Sequence, residues 1–110
     1  MIDQSEVSRV VDLVSDQDGA VVSRIFIKRE TGNVTLFAFD AGQELTEHTS
    51  PYDALVQVVD GDAVITIAGR PHHLRAGDMI LMPAHQPHAL KAVSRFKLLL
   101  TMIRSSASGP

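Results

Sequence analysis

The chain has 110 residues, of which 45% are hydrophobic, and its formal net charge is −3 at pH 7. This length suits one domain with its own core and is too short for two. The basic residues form no stripe interleaved with aromatic side chains, which excludes the usual surface of a nucleic-acid-binding protein. No apolar stretch approaches the roughly 18 residues of a membrane-spanning helix. We therefore expect neither nucleic acid nor membrane as a partner.

The cysteine content and the first residues bear on the compartment. The sequence has no cysteine, which excludes disulfides and thiolate chemistry. Its first ten residues lack the basic start and the apolar core of a secretory signal peptide. These features predict a cytoplasmic protein.

Residues 1–19 form an N-terminal segment whose secondary structure the pattern leaves open. The apolar residues between positions 7 and 14 satisfy both the helical period and the strand period, because the stretch is so short. A short helix and a strand therefore both stay possible for this segment.

Strand signals dominate the rest of the chain, over residues 20–104. Two runs of β-branched and aromatic residues flank Gly32 and Asn33, a pair that accepts the positive φ of a tight turn, so we expect a β-hairpin there. Further short apolar runs follow without a long helical pattern, which predicts an all-β sandwich or barrel. Residues 105–110 are expected to form a disordered tail. The predicted strands occupy residues 21–27, 33–39, 54–59, 63–68, 79–82, 88–93 and 96–103.

Two of these runs predict an assembly. Residues 79–82 and 98–103 are apolar at both strand parities, whereas a strand with one wet face should alternate. Both faces of these strands are therefore expected to be covered, and a symmetric homodimer is the commonest way to cover them. The alternative is that the N-terminal segment folds over the outer face.

Two runs of turn-forming and β-favouring residues each contain a histidine, His48 in the first and His88 in the second. These runs and their short separation resemble the motifs of small single-domain cupins, and the resemblance covers about residues 20–103. It implies a double-stranded β-helix, or jelly-roll, barrel with both histidines facing one pocket. The matching positions are Gly42, His48, Pro51 and Gly61 in the first run and Gly77, Asp78, Pro83 and His88 in the second.

The first run departs from the cupin pattern at two ligand positions. Cupins usually place a second histidine two residues after the first and a glutamate four residues later, and here Ser50 and Ala54 stand there. The resemblance therefore implies a divalent transition metal (Ni, Zn, Fe, Mn or Cu) held only weakly by His48 and His88. Asp53 is the first candidate for a third ligand, because it lies one residue from the glutamate position. Its carboxylate is equally expected to cap its own loop.

Other polar residues lie near these motifs. Gln57 is the second candidate for a third ligand, although the family register points it outward. His85 stands where the cupin pattern usually has glycine, and its ring is expected either to join His88 or to lie in solvent. His72 and His73 are expected to be strand residues without a role, one facing in and one out.

The pocket that the resemblance implies is wide and weakly charged, because alanine replaces the glutamate. It suits a small, mostly apolar organic ligand with one polar or anionic group, to which the two histidines donate hydrogen bonds. The alternative is a metal-dependent enzyme of oxygenase, isomerase or lyase type, in which Asp53 or His85 moves a proton. The residues expected to line the barrel are Phe37, Phe39, Val56, Val58, Met82 and Leu90. The residues expected to contact the ligand are His48, Ser50, Asp53, His85 and His88.

Overall fold

The computed structural model describes residues 5–105, and β-strands form most of that range. One turn of 3-10 helix, Val10–Asp12, precedes the strands. Within residues 5–105 no helix has the length and hydrophobicity that crossing a bilayer requires. The strands are β1 (Val21–Arg29), β2 (Gly32–Phe39), β3 (Glu44–His48), β4 (Tyr52–Asp60), β5 (Asp62–Ile67), β6 (Arg70–Arg75), β7 (Met79–Met82), β8 (His88–Ala92) and β9 (Phe96–Arg104).

The strands form two antiparallel sheets that face each other. One sheet has five strands in the order β1-β2-β9-β4-β7, and the other has four in the order β3-β8-β5-β6. The chain crosses between the sheets repeatedly, which is the connectivity of a jelly-roll barrel. The predicted all-β, double-stranded β-helix architecture is therefore confirmed, as is the hairpin at Gly32 and Asn33.

The core lies between the two sheets and follows strand alternation. Ala54, Val56 and Val58 point inward from β4 and are buried, because successive side chains of a strand face opposite sides. Phe39 and Phe96 stack inside with ring centroids 4.6 Å apart. Burial of each ring stabilises the fold by about 1.5–3 kcal/mol. All six residues predicted to face the barrel interior lie in this core or at its margin.

The N-terminal segment packs on the outside of the five-stranded sheet. Val14 is buried there against Phe26, Leu36 and Ala38, in a cluster separate from the main core. The ammonium group of Lys97 donates to a backbone carbonyl of the segment, that of Val11, at 2.7 Å. The segment that the pattern left open is therefore a strap with a single 3-10 turn.

The strap is also clasped at its end, before β1 begins. The Asp40 carboxylate accepts hydrogen bonds from the backbone N–H of Gly19 at 2.6 Å and from Nε of Arg95 at 3.0 Å. Arg95 also pairs with Asp18 of the strap. These contacts hold the pKa of Asp40 below its usual value, first through the Gly19 N–H and then through Arg95.

The strap leaves the far end of the same sheet open. Met79 is 64% exposed and Leu81 is 55% exposed on the outer face of β7. The alternative, in which the N-terminal segment folds over the outer face, therefore holds for the run at 98–103, whose Leu99 packs against the strap cluster, and fails for β7. The homodimer stays a prediction.

The tail predicted for residues 105–110 falls almost entirely outside the described residues. Only Ser105 lies within them. Its backbone N–H donates to the carbonyl of Pro51 at 2.9 Å, which ties the end of β9 to the loop before β4.

Candidate functional site

His48 and His88 meet at one end of the four-stranded sheet. His48 is the last residue of β3 and His88 is the first residue of β8, and the two are register partners in the antiparallel pair. Their rings meet edge to face, with centroids 4.3 Å apart. Their Nε2 atoms are 3.1 Å apart. The fold therefore brings together two residues that are 40 positions apart in sequence, as the motifs predict.

Backbone carbonyls fix the orientation of both rings. Nδ1 of His48 lies 2.8 Å from the carbonyl oxygen of Thr46, and Nδ1 of His88 lies 3.2 Å from that of Gln86. A carbonyl can only accept, so Nδ1 of each ring carries a proton and donates it. In the neutral rings Nε2 is then the acceptor, and the two Nε2 lone pairs converge.

Burial disfavours the charged form of His88. The pKa of His88 is lowered because burial penalises the charged imidazolium. The Gln86 carbonyl opposes this shift in part, and His48 adds a smaller lowering effect. His88 is therefore neutral at pH 7. Two converging acceptors repel each other, and a shared proton, a metal ion or a donor group of a ligand relieves that repulsion.

The two rings border a cavity of about 210 Å³ between the sheets. Apart from His48, Ser50 and His88, its lining side chains are aliphatic, aromatic or thioether groups. The polar groups thus lie together at one place in an otherwise apolar cavity, which is typical of a small-molecule binding site. The apolar lining residues are Phe37, Phe39, Leu45, Ala54, Val56, Met82, Ala89, Leu90, Leu98, Leu100 and Met102.

Ser50 and His85 connect the two histidine motifs through their backbones. The carbonyl of Ser50 accepts from the backbone N–H of His85 at 2.8 Å, and the Ser50 hydroxyl accepts from that of Tyr52 at 3.1 Å. Ser50 lines the cavity. His85 is exposed and has φ of 68°. This left-handed conformation is the physical reason for the glycine that the family pattern has at this position.

Asp53 does not lie where a third metal ligand would have to be. Its carboxylate accepts a hydrogen bond from the backbone N–H of Ala84 at 2.8 Å, and it is exposed. The cause is strand parity, since Ala54 faces the cavity and its neighbour faces out. The prediction of Asp53 as the third ligand is therefore not supported, and the carboxylate instead holds the turn that precedes β8.

The remaining predicted residues lie away from the cavity lining. Gln57 faces outward between its register partners Met79 and Leu99, as the family register predicts. On β6, His72 is the partner of buried Ile65, whereas the Nε2 atom of His73 lies 2.8 Å from the carboxylate of Asp62 on the outer side. Neither β6 histidine borders the cavity.

The spacing of the two histidine nitrogens suits a divalent metal ion, which would use two of its coordination positions to bind them. Two imidazole nitrogens bound side by side to one ion, each at about 2.1 Å, lie about 3 Å apart, which is the spacing found here. Among residues 5–105, the structure groups no third His, Cys, Asp or Glu side chain with them. His48 and His88 would therefore hold the ion through their Nε2 atoms.

The structure also adds residues that the pattern did not single out. Leu98, Leu100 and Met102 line the cavity from β9, and Leu45 lines it from β3. Strand alternation relates the β9 residues to one another: Leu98, Leu100 and Met102 lie at even spacing from Phe96, a core residue, and therefore face the same side. The run was uniformly apolar, however, so parity alone could not show which face was inside.

Two antiparallel sheets that enclose a cavity with histidines at one end define a double-stranded β-helix barrel. A family model described as a cupin domain matches residues 35–103. The chain belongs to the cupin family. None of the curated proteins matches it.

Solved structures support the same assignment. A conserved protein of unknown function from Streptococcus pyogenes is 36% identical, with 96% of this chain and 93% of that one covered and a TM-score of 0.91. A cupin 2 conserved barrel domain protein from Leptotrichia buccalis is 32% identical over 86% of this chain, with a TM-score of 0.83, and the match spans 46% of its length. A cupin superfamily protein from Desulfitobacterium hafniense is 26% identical over 96% of this chain and 95% of that one, with a TM-score of 0.87.

Proposed function

We propose that this cupin binds a small, mostly apolar organic molecule in its barrel, with one polar group of the ligand held by His48 and His88. The observation that carries the proposal is the convergence of two Nε2 lone pairs, 3.1 Å apart, on an otherwise apolar cavity. A weakly held divalent metal at the same nitrogens is the second way to bind that polar group.

The hydrogen-bond pattern specifies the kind of polar group. The sequence predicts that the histidines donate to a polar or anionic group of the ligand. In the structure both rings already direct Nδ1 toward a backbone carbonyl. The neutral rings therefore present acceptors to the cavity. A ligand hydroxyl, or an acid that enters with its proton, complements them better than a bare anion does.

The cavity volume limits the size of the ligand. An engineered cavity of about 150 Å³ in another protein accommodates benzene, and this one is about 210 Å³. A single ring with one or two substituents is therefore an appropriate size. The aromatic wall formed by Phe37 and Phe39 also favours a flat apolar body.

Phenol and toluene form a matched pair of probes for this proposal, because they have almost the same shape and differ in the hydroxyl. Titration calorimetry is expected to show that the protein prefers phenol, by about fivefold for one net hydrogen bond. His48→Leu and His88→Leu should abolish the preference while they retain apolar binding. His72→Leu, which alters a histidine away from the cavity, should leave it unchanged. An equal affinity for both probes in the unaltered protein would contradict the proposal.

A metal-dependent cupin enzyme is the second candidate function. Two adjacent imidazole nitrogens leave other coordination positions of an ion open to a substrate. An ion held there would act as a Lewis acid on a ligand oxygen. Its test is zinc and nickel titration of the unaltered protein, His48→Ala and His88→Ala, followed by turnover assays with oxygenated small molecules. Absence of metal binding by the unaltered protein would eliminate this candidate.

A further inference from the structure

Ala54, at the family's glutamate position, lies between two methionines. Its register partner on β7 is Met82, and its register partner on β9 is Met102. All three side chains line the cavity that His48 and His88 border. The position of the missing carboxylate thus has a methionine on each neighbouring strand, and both side chains line the same cavity.

We propose that this cavity is a copper(I) site, in which the thioethers of Met82 and Met102 join the Nε2 atoms of His48 and His88. The inference rests on the proposed binding site and names the ion that it takes. Thioethers are soft donors that select Cu(I), and imidazole also suits copper. The cavity offers both donor types and no carboxylate, the donor that harder ions prefer.

The charge balance of the site favours a monovalent ion. Two methionines and two histidines with protonated Nδ1 are all neutral ligands, so a bound ion keeps its whole charge. Met82 and Ala54 are almost fully buried, so the methionine side of the site is shielded from water, whereas the exposed His48 lies at its open side. Because the cost of burying an uncompensated charge rises steeply with that charge, Cu(I) is held at a lower cost than Zn(II) or Ni(II).

Met82 and Met102 have an alternative role as plain packing residues. Methionine fills irregular gaps because its chain is unbranched and flexible. Leucine has nearly the same volume and typically replaces methionine in a core at a cost below about 1.5 kcal/mol. A Met→Leu change therefore removes the sulfur while it retains most of the packing.

The experiment measures Cu(I) affinity under anaerobic conditions by competition with a chromophoric Cu(I) chelator. The variants are Met82→Leu, Met102→Leu and the double variant, and the control is Met79→Leu, whose side chain is exposed on the outer face. Loss of a partner outside the coordination sphere commonly lowers metal affinity 10–100-fold, so loss of a sulfur ligand should lower Cu(I) affinity at least about tenfold. Zinc affinity, measured in parallel, should change less than about threefold, and Met79→Leu should behave as the unaltered protein.

X-ray absorption at the copper edge provides an independent readout. The proposal expects sulfur among the atoms bound to copper in the unaltered protein and its loss in the double variant. Unchanged Cu(I) affinity in the double variant, or copper bound by nitrogen alone, would overturn it.

Phenol titration of the same samples separates the two proposals. Phenol binding without Cu(I) binding would remove the copper site and leave the proposed function intact. Copper binding without a histidine-dependent preference for phenol would contradict the proposed function and leave the copper site intact. If the double variant loses copper, zinc and phenol together, the sulfur-specific role is contradicted, because the damage is then to the cavity as a whole.

Discussion

His48 and His88 are held by the same local hydrogen bond, in which the Nδ1 of each ring donates to the carbonyl two residues earlier in the chain. The bond lies within each motif, so each motif orients its own ring. The β3–β8 pairing then only has to bring the two Nε2 atoms together. The rings are therefore already oriented before a ligand enters, which lowers the entropic cost of binding.

Restoring the family's ligand set tests what the cavity is adapted to. In the Ser50→His, Ala54→Glu double variant, a carboxylate enters a position that is 2% exposed and flanked by Met82 and Met102. Burying that charge unpaired costs several kcal/mol by order of magnitude. We expect a lowered melting temperature and no tight zinc or nickel binding, measured by differential scanning calorimetry with and without metal.

Ala54→Gln is the control for this variant, because it adds similar bulk without the charge. It should be destabilised less than the glutamate variant. A double variant that stays stable and binds a divalent metal tightly would contradict the organic-ligand proposal and favour the metalloenzyme.

His85 tests whether the turn before β8 has a structural or a binding role. Its φ of 68° is disfavoured by about 1–2 kcal/mol for a residue with a Cβ atom, and a β-branched side chain is less tolerated still. His85→Val should therefore lower stability by at least about 1 kcal/mol, whereas His85→Gly should fold as well as the unaltered protein. Chemical denaturation measures both. If His85→Gly folds normally but loses phenol binding, the imidazole takes part in the site.

The clasp of the N-terminal strap predicts a dependence on pH. The folded state lowers the pKa of Asp40, so the carboxylate contributes stability that is fully present above its unfolded pKa of about 3.9. That contribution is lost as the pH falls below about 4 through the folded pKa. Thermal unfolding between pH 7 and pH 3 should show a smaller acid-induced loss in Asp40→Asn than in the unaltered protein. Asp60→Asn, which alters an exposed carboxylate at the end of β4, should lose as much thermal stability between pH 7 and pH 3 as the unaltered protein does.

We expect a second copy of the chain to bind to the outer face of the five-stranded sheet, beside the part that the N-terminal strap covers. One side chain from every strand forms a continuous, mainly apolar row across it. The row consists of Leu81, Leu55, Thr101, Val34 and Ile27. A symmetric dimer is the commonest assembly that buries such a surface.

Light scattering should give a dimer for the unaltered protein at micromolar concentration and a monomer for Leu81→Glu. Val93→Glu is a matched control. Val93 is 54% exposed and Leu81 is 55% exposed, but Val93 lies outside the row. A monomeric unaltered protein would refute this interface.

Most of the barrel could be predicted from residue patterns because its strands are apolar where they are buried. β3 could not be found in this way, since all five of its residues are exposed and three are charged or histidine. The strand forms because β8 offers it hydrogen-bond partners, a tertiary cause that a local pattern does not contain. His48 was therefore identified through its motif rather than through its strand.

The site was predictable in its residues and not in its hydrogen bonds. The motifs identified His48 and His88, but the carbonyls that fix their protons belong to Thr46, in the irregular end of β3, and to Gln86, in the loop before β8, and neither backbone path has a sequence signature. The same limit explains Asp53. A shift of one residue along β4 decides whether the Asp53 carboxylate faces the cavity or the turn at Ala84. The match to a family motif is not precise enough to locate a side chain to within one residue.

The most direct test of the site is nitrogen-15 NMR of the histidine side chains during titration with phenol, and then with Cu(I). We expect that, without ligand, both His48 and His88 show a protonated Nδ1 and an unprotonated Nε2. On addition of either probe, their Nε2 signals should shift, while those of His72, His73 and His85 should not. If His48 and His88 show the opposite tautomer, or if the shifts occur at the other histidines, the paired-acceptor site is contradicted.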